Sequence, residues 1–366
     1  MDTLCYLLLL LVPAILFWIM VISRLIEAHY HVPYPETERI YARTEDGFDL
    51  ALYRHRPGKR LYQEPVVLCH GLGANRYNLD WPGHSLADAF AAAGFDTWVC
   101  ELRGSGNSSK PSMLNDIPAD FTFDDMVNRD LPAIIATVKA HAHSDTVAWV
   151  GHSMGGMAMY AYLGQGGRHV RAAFAISSPA TFAKGNPMGA MLPLAPALKL
   201  FPVFHQRFFM RMLAPLISVY FPSPARALAN PDNIDHHLAP RLFVNLMENM
   251  NMALLLQGKV WLDSGSLRSA DGRIDYYHAM DRITVPFGFA VGSADLIATE
   301  KSVRDAYERC GSPDKTLTVM SRAQGFAGDY GHGDIVFCPN AHAELFPLVT
   351  QFMQQRCLAC GDAPDR

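Results

Sequence analysis

The sequence predicts an α/β protein with a mostly parallel central sheet and helices on both faces. Short apolar stretches alternate with helical patterns along the chain, which is typical of strands joined by crossover helices. With 366 residues, the chain has room for one large α/β domain and an insertion. The predicted strands are residues 66–69, 97–100, 147–150, 172–176, 287–291 and 317–320.

The chain opens with an apolar segment. Residues 3–23 carry no charge, and a helix of this length matches a hydrocarbon core of about 30 Å. A signal peptide would show a basic start and a small-residue cleavage site, whereas Asp2 precedes this segment and no Ala-x-Ala follows it. We therefore expect a single-pass membrane anchor over residues 1–24, with the side of the membrane left open. The alternative is an apolar helix that packs on the protein's own cap.

A G-x-S-x-G pentapeptide, G-H-S-M-G at residues 151–155, follows the third predicted strand and precedes a helical pattern. Strand, sharp turn and helix form the context in which this motif exposes a nucleophilic serine. The flanking glycines allow the backbone to turn without a side-chain clash. The sequence therefore predicts Ser153 as a nucleophile.

A serine nucleophile needs a base and an acid, which follow it in the order acid, then histidine. Asp295 comes directly after the predicted strand 285–292, at the end where functional residues gather in such sheets. A helix N-cap is its alternative role. His332 lies in a glycine-rich loop after the last predicted strand, and His342 is its competitor. We predict Asp295 and His332 as acid and base.

Backbone N–H groups must stabilise the oxyanion that forms during acyl transfer. Met154, directly after the nucleophile, provides one predicted donor. The second is predicted at Leu72, in the H-G-L-G loop that follows strand 66–69. His70 in the same loop is predicted to be structural.

From about residue 42 to residue 353 the chain resembles the acid lipase group of α/β-hydrolases, the gastric and lysosomal lipases and their bacterial relatives. The matching segments are T-E-D-G-F-D-L at 44–50, H-G-L at 70–72, A-G-F-D-T-W at 93–98, R-G at 103–104, F-T-F-D-D-M at 121–126, D-L-P-A at 130–133, G-H-S-M-G at 151–155 and H-G-D-I at 332–335. The resemblance implies an α/β-hydrolase fold, a triad of Ser153, Asp295 and His332, and Leu72 and Met154 as donors.

This chain departs from the family pattern at Met154, where the family usually has glutamine, and at residues 68–69, which replace a bulkier pair. The cap region matches only loosely. We expect five segments: an anchor at 1–24, core at 25–181, a mainly helical cap at 182–281, core at 282–356 and a tail at 357–366. The cap is rich in Met, Leu and Phe, which suits a pocket for variable acyl chains.

The expected function is hydrolysis of carboxylic esters with lipid-like acyl chains through an acyl-enzyme. One alternative is an acyltransferase that uses the same triad with an alcohol acceptor. A second is a non-catalytic, membrane-anchored binding protein on the same scaffold, which would require a broken triad. The net charge of −4 and the absence of a basic run exclude nucleic acid as an expected partner. No cofactor or metal is expected, since no CxxC pair has zinc spacing.

Overall fold

The computed structural model describes residues 3–34, 38–112, 115–187, 189, 202–217, 219–220 and 226–361, and eight strands of this part of the chain form one central sheet. In chain order the strands are β1 (Glu38–Arg43), β2 (Asp49–His55), β3 (Val66–Cys69), β4 (Asp80–Trp81), β5 (His84–Ser85), β6 (Thr97–Cys100), β7 (Val147–His152), β8 (Val170–Ile176), β9 (Val203–Phe204), β10 (Met250–Asn251), β11 (Phe287–Gly292) and β12 (Lys315–Met320).

The central sheet has the order β1-β2-β6-β3-β7-β8-β11-β12. The five pairings from β6 to β12 are parallel, while β1 and β2 add an antiparallel edge. The predicted mostly parallel sheet is thereby confirmed. β4 pairs with β5, and β9 pairs with β10, as separate short ribbons.

Successive residues of the central strands enter two different cores. Val66 and Leu68 of β3 lie in one apolar cluster, whereas Val67 and Cys69 lie in the cluster on the opposite face. This follows from the two-residue period of a strand. Complete burial of an aliphatic side chain stabilises a fold by roughly 1.5–3 kcal/mol. Both faces therefore require apolar residues, which explains the unbroken apolar runs in the sequence.

Helices cover both faces of the sheet. In chain order they are α1 (Thr3–Tyr30), α2 (Leu86–Ala92), α3 (Phe123–Asp125), α4 (Leu131–Ala142), α5 (Met154–Gly164), α6 (Gln206–Ile217), α7 (Ala239–Asn245), α8 (Met252–Ser264), α9 (Tyr276–Ala279), α10 (Glu300–Arg309), α11 (Asp334–Phe337) and α12 (Leu345–Gln354). A π-helical turn, Met126–Asp130, joins α3 to α4.

The segment between β8 and β11 contains α6, α7, α8 and the β9–β10 ribbon. Its two ends meet at its base, where Phe182 N donates to Gly265 O (2.9 Å). Tyr276 and Met280, further along the predicted cap of residues 182–281, are buried in the main core. Six apolar residues that the sequence assigned to the cap lie outside the described residues: Met188, Met191, Leu192, Leu194, Leu200 and Phe201.

Helix α1 contains a stretch, Leu11–Tyr30, that is long and apolar enough to cross a membrane. Leu16, Phe17 and Trp18 in its middle are each more than half exposed. Its last turns pack on α6 and α7, with Ile26 and Tyr30 against an apolar cluster of the cap. Among the described residues, the end of the helix thus contacts the cap, while the side chains of its apolar middle are mostly exposed.

Candidate active site

Ser153 occupies a strained turn between β7 and α5. Its φ of 52° and ψ of −118° lie in a region that side chains disfavour. Ser153 N donates to Ile176 O at 2.8 Å, which ties the turn to the neighbouring strand. A Cβ on Gly155 would lie 2.4 Å from Cys69 O, and one on Gly151 would lie 2.2 Å from Gly155 C. Both glycines are therefore required by the close approach of backbone segments.

His332 lies beside this serine. Its Nε2 is 3.0 Å from Ser153 Oγ, and its side chain is mostly buried. The loop that carries it is fixed by the buried carboxylate of Asp334, which accepts from Gly331 N (2.9 Å) and Asn230 N (2.8 Å). The structure thus brings His332 to Ser153, while His342 contacts the rings of His84 and Phe346.

Asp295 uses its two oxygens for different partners. Oδ2 lies 2.9 Å from His332 Nδ1, and Oδ1 accepts from Ile297 N (2.8 Å) and Ala298 N (2.7 Å). The other oxygen therefore fixes the turn at residues 295–298, but Asp295 is not the helix N-cap that was its alternative role. Helix α10 itself begins at Glu300 and is capped by Thr299. An ionised Asp295 accepts only, so His332 donates its Nδ1–H and presents the Nε2 lone pair to Ser153.

The two predicted oxyanion donors line one cavity of about 90 Å³. Met154 is the first residue of α5, where the helix dipole favours negative charge. Leu72 follows Gly71, at which a Cβ would lie 3.0 Å from Ser153 Cβ, so this loop runs directly against the nucleophile. Gly71 N donates to Asn78 Oδ1 (2.9 Å), which leaves Leu72 as the next backbone donor along the loop.

Two buried histidines support the site without belonging to the predicted triad. Burial lowers the pKa of His70 to about 4 and that of His152 to about 3, so both rings are neutral at physiological pH. His70 donates Nδ1–H to Gly71 O (2.8 Å) and accepts from Leu102 N (3.1 Å). His152 donates Nε2–H to His332 O at 2.9 Å, which ties the pentapeptide to the histidine loop. The role of His152 was missed, although its place inside the motif was visible.

The cap holds the loop that carries Leu72. Glu248 N donates to Gly73 O (2.8 Å), and Asn75 Nδ2 donates to Glu248 Oε1 (3.0 Å). Lys110 Nζ lies 2.9 Å from the other oxygen of this buried carboxylate. Sequence reasoning missed Glu248 and Asn75, because residues so far apart in the chain leave no local signal of their contact.

Within the described ranges, His55, Asp80 and Asp88 lie close enough together to hold a metal ion. Each ring nitrogen of His55 is 3.0 Å from one of these carboxylates. Although burial opposes it, hydrogen bonding and the charges of Asp80 and Asp88 raise the pKa of His55. A protonated imidazole has no lone pair for a metal, so the group is better described as an ion-pair cluster.

A family model described as alpha/beta hydrolase fold matches residues 64–254, just over half of the chain. Lipase member M of Homo sapiens is 31% identical over 194 residues, which cover 49% of this chain and 45% of that protein. Gastric triacylglycerol lipase of Rattus norvegicus is 37% identical over 122 residues, 31% of each chain. The predicted resemblance to gastric-type lipases is confirmed, and the aligned segments span less than half of these relatives' length.

Among solved structures, the monoacylglycerol lipase of Paleococcus ferrophilus superposes with a TM-score of 0.57. The match covers 83% of this chain and 99% of that chain at 18% sequence identity. At this identity the likeness shows the fold alone, and the fold it shows is the predicted one.

Proposed function

Since the chain belongs to the alpha/beta hydrolase fold family, we propose that it is a carboxylic ester hydrolase that uses Ser153, His332 and Asp295 as its catalytic triad. The observation that carries the proposal is the buried chain of hydrogen bonds from Ser153 Oγ through His332 to Asp295, at 3.0 and 2.9 Å. A serine in a strained elbow with a base and an orienting carboxylate is the arrangement that nucleophilic acyl transfer requires.

In the first half of the reaction, Ser153 Oγ attacks the ester carbonyl while His332 Nε2 takes its proton. Asp295 orients the ring and stabilises the imidazolium. The N–H groups of Leu72 and Met154 stabilise the oxyanion, and one such donor is typically worth about 3 kcal/mol. His332 then gives its proton to the leaving alcohol, and an acyl-enzyme remains.

In the second half, water takes the place of the alcohol. His332 Nε2 removes a proton from water as the water oxygen attacks the acyl carbonyl, and the oxyanion of this second intermediate meets the same donors. Collapse then breaks the bond from Ser153 Oγ to the acyl carbon while His332 returns the proton to Oγ, which releases the carboxylic acid and restores Ser153. The neutral, buried His152 supports this cycle by holding the backbone of His332 in place.

The proposed substrates carry lipid-like acyl chains. The cavity that Leu72 and Met154 line has apolar residues from both the core and the cap, including Phe121, Met126, Met250 and Leu254, beside the polar Arg103, Lys110 and Asn249. Methionine side chains adapt to chains of different shape. The matched relatives are named lipases, which supports the same substrate class.

We further propose that α1 anchors the protein in a membrane through its uncharged residues 3–23. The exposure of Leu16, Phe17 and Trp18 supports this, because an apolar helix of a soluble protein buries such side chains. A signal sequence is the competing interpretation, and it would be absent from the mature protein.

The decisive experiment replaces the nucleophile. Ser153→Ala should abolish p-nitrophenyl ester turnover and fluorophosphonate labelling while leaving the circular dichroism spectrum and Tm unchanged. Ser264→Ala, at the end of α8, is the matched control and should keep full activity. Labelling of the Ser153 variant at the wild-type rate would refute the proposed nucleophile. A series of esters of increasing chain length, with and without micelles, tests the substrate class separately.

A further inference from the structure

Helix α6 of the cap carries an exposed apolar stripe. Phe209, Leu213 and Leu216 are exposed at the spacing of one helix face, and Val219 (88% exposed) and Tyr220 (67%) continue the stripe beyond the helix. The opposite face is buried and includes Ala214 and Ile217. A contiguous apolar surface of this kind marks an interaction site.

Helix α1 lies beside α6, and its direction indicates what this stripe contacts. Arg207 Nη2 lies 3.4 Å from Glu27 Oε1, and Arg211 Nη2 lies 2.7 Å from the same oxygen. Arg211 Nη1 also reaches Ser23 Oγ at 3.5 Å. Later residues of α6 therefore meet earlier residues of α1, so the two helices run antiparallel. The exposed end of α6 is directed along the uncharged part of α1.

The lengths of the two helices determine how far the end of α6 would reach into the hydrocarbon core that α1 spans. Residues 3–23 of α1 rise about 30 Å, which matches a hydrocarbon core, and Ser23 is the last residue before the first charge, Arg24. Arg211 contacts α1 at Ser23, so it marks the edge of that core. Leu216 lies roughly 7 Å further along α6 in the direction of the span. Amphipathic elements at membrane surfaces insert their apolar face by about 5–10 Å.

We propose that Leu216, Val219 and Tyr220 insert into the surface of the bilayer that α1 spans, so that the cap rests on the membrane at a second point. This inference rests on the proposed anchoring. Arg24, Glu27 and Arg207 would then lie at the level of the lipid head groups, where charged side chains remain hydrated.

The docked cap has a consequence for substrate access. Val203 of β9 lines the cavity shared by Leu72 and Met154, and α6 begins just after β9, at Gln206. The same segment thus connects the bilayer contact to the cavity that the two proposed oxyanion donors line. Esters held in the membrane would reach this cavity without crossing bulk water, whereas short soluble esters would not depend on the contact.

The depth of α6 can be measured by spin labelling of the full chain in phosphatidylcholine vesicles, with Cys5 and Cys360 replaced by serine. Nitroxides would be attached at Val219→Cys, at Trp18→Cys in α1 and at Ile274→Cys, an exposed position outside α1 and α6. We expect the labels at 219 and 18 to collide more with oxygen than with a nickel chelate, as labels inside a bilayer do. The label at 274 should collide more with the nickel chelate, as labels in water do. A water-exposed label at 219 with a buried label at 18 would overturn the docking and leave the anchor intact. Water exposure at both would overturn the anchor and the docking together.

A functional test uses the triple variant Leu216→Ser, Val219→Ser, Tyr220→Ser, whose side chains are exposed and contribute little to folding. Its kcat/KM for a soluble short-chain ester should stay within twofold of wild type, while turnover of a long-chain ester embedded in vesicles should fall about tenfold. The control, Ile274→Ser with Leu358→Ser, should change neither. An unchanged vesicle rate, or an equal loss on both substrates, would contradict the proposal.

Discussion

At the residue scale, Asp295 contributes to folding through Oδ1 and to the proposed chemistry through Oδ2. Asp295→Asn keeps an oxygen for the N–H groups of Ile297 and Ala298 but removes the charge that orients His332. By analogy with the serine protease triad, kcat should fall by about 10⁴ while Tm stays within a few degrees. Steady-state kinetics and calorimetry measure the two effects. Asp263→Asn, at an exposed position of α8, is the control.

Also at the residue scale, His55 makes the stability of the fold depend on pH. The raised pKa of His55 means that the folded protein holds this proton more tightly than the unfolded chain, where the value is about 6.5. The stabilisation from Asp80 and Asp88 is therefore complete below about pH 6.5 and is lost as pH rises through the raised folded value. We expect the unfolding free energy of wild type to exceed that of His55→Gln most strongly in mild acid.

Urea denaturation of both proteins across pH 5–9 measures this difference. The difference in unfolding free energy between wild type and His55→Gln should decline toward alkaline pH. A difference that grows with pH would show that His55 is neutral in the folded state. His141→Gln, at an exposed position of α4, is the matched control for the substitution itself.

At the element scale, the elbow depends on helix α5 approaching strand β3 without an intervening side chain. Gly155→Ala would place a Cβ 2.4 Å from Cys69 O, a backbone atom that has little room to move. The expected loss of stability is about 3 kcal/mol, at the upper end for overpacked cores. Gly58→Ala is a stringent control, because no atom lies within 4 Å of the added Cβ. Equal denaturation midpoints for the two variants would contradict the required close approach.

The strands of the parallel part of the sheet were largely predictable from the sequence, because buried parallel strands need continuous apolar runs. The strands at 66–69 and 97–100 have the predicted bounds, while β7, β8, β11 and β12 each extend one or two residues further. Local apolar pattern is a property of neighbours in the chain, and so it predicts strands well.

Contacts between distant polar residues carry no such pattern. Glu248 reaches the loop of Gly73 and Asn75 from the cap, and His152 bonds the backbone of His332. Each bond depends on two segments that meet only after the sheet has formed. The residues of the candidate triad were predictable because motif and chain order constrain them, whereas the residues that hold the triad's loops were not.

At the scale of the whole molecule, the cap couples the N-terminal helix to the candidate site. Glu27 of α1 pairs with Arg207 and Arg211 of α6, and Arg207 Nη1 lies 3.8 Å from the Glu248 carboxylate. Glu248 in turn holds the loop that follows β3. A continuous series of charged contacts thus links the helix to the cap and the cap to the oxyanion loop. This arrangement favours retention of α1 in the mature protein, because cleavage after it would leave two arginines without their shared carboxylate.

The mature chain should therefore retain its N-terminal apolar segment. Intact mass measurement of protein isolated from its native cells should include residues 3–23, and the protein should remain in the membrane pellet after extraction at pH 11. A charge in the middle of the span should weaken insertion by about 2.5–3.5 kcal/mol, so Leu16→Arg should move a large fraction of the protein into the supernatant. Glu38→Arg, at the start of β1, is the control for added charge and should stay in the pellet. A mature mass that begins after Ser23 would identify the segment as a signal sequence, and one that begins after Glu27 would also leave Arg207 and Arg211 without their shared carboxylate.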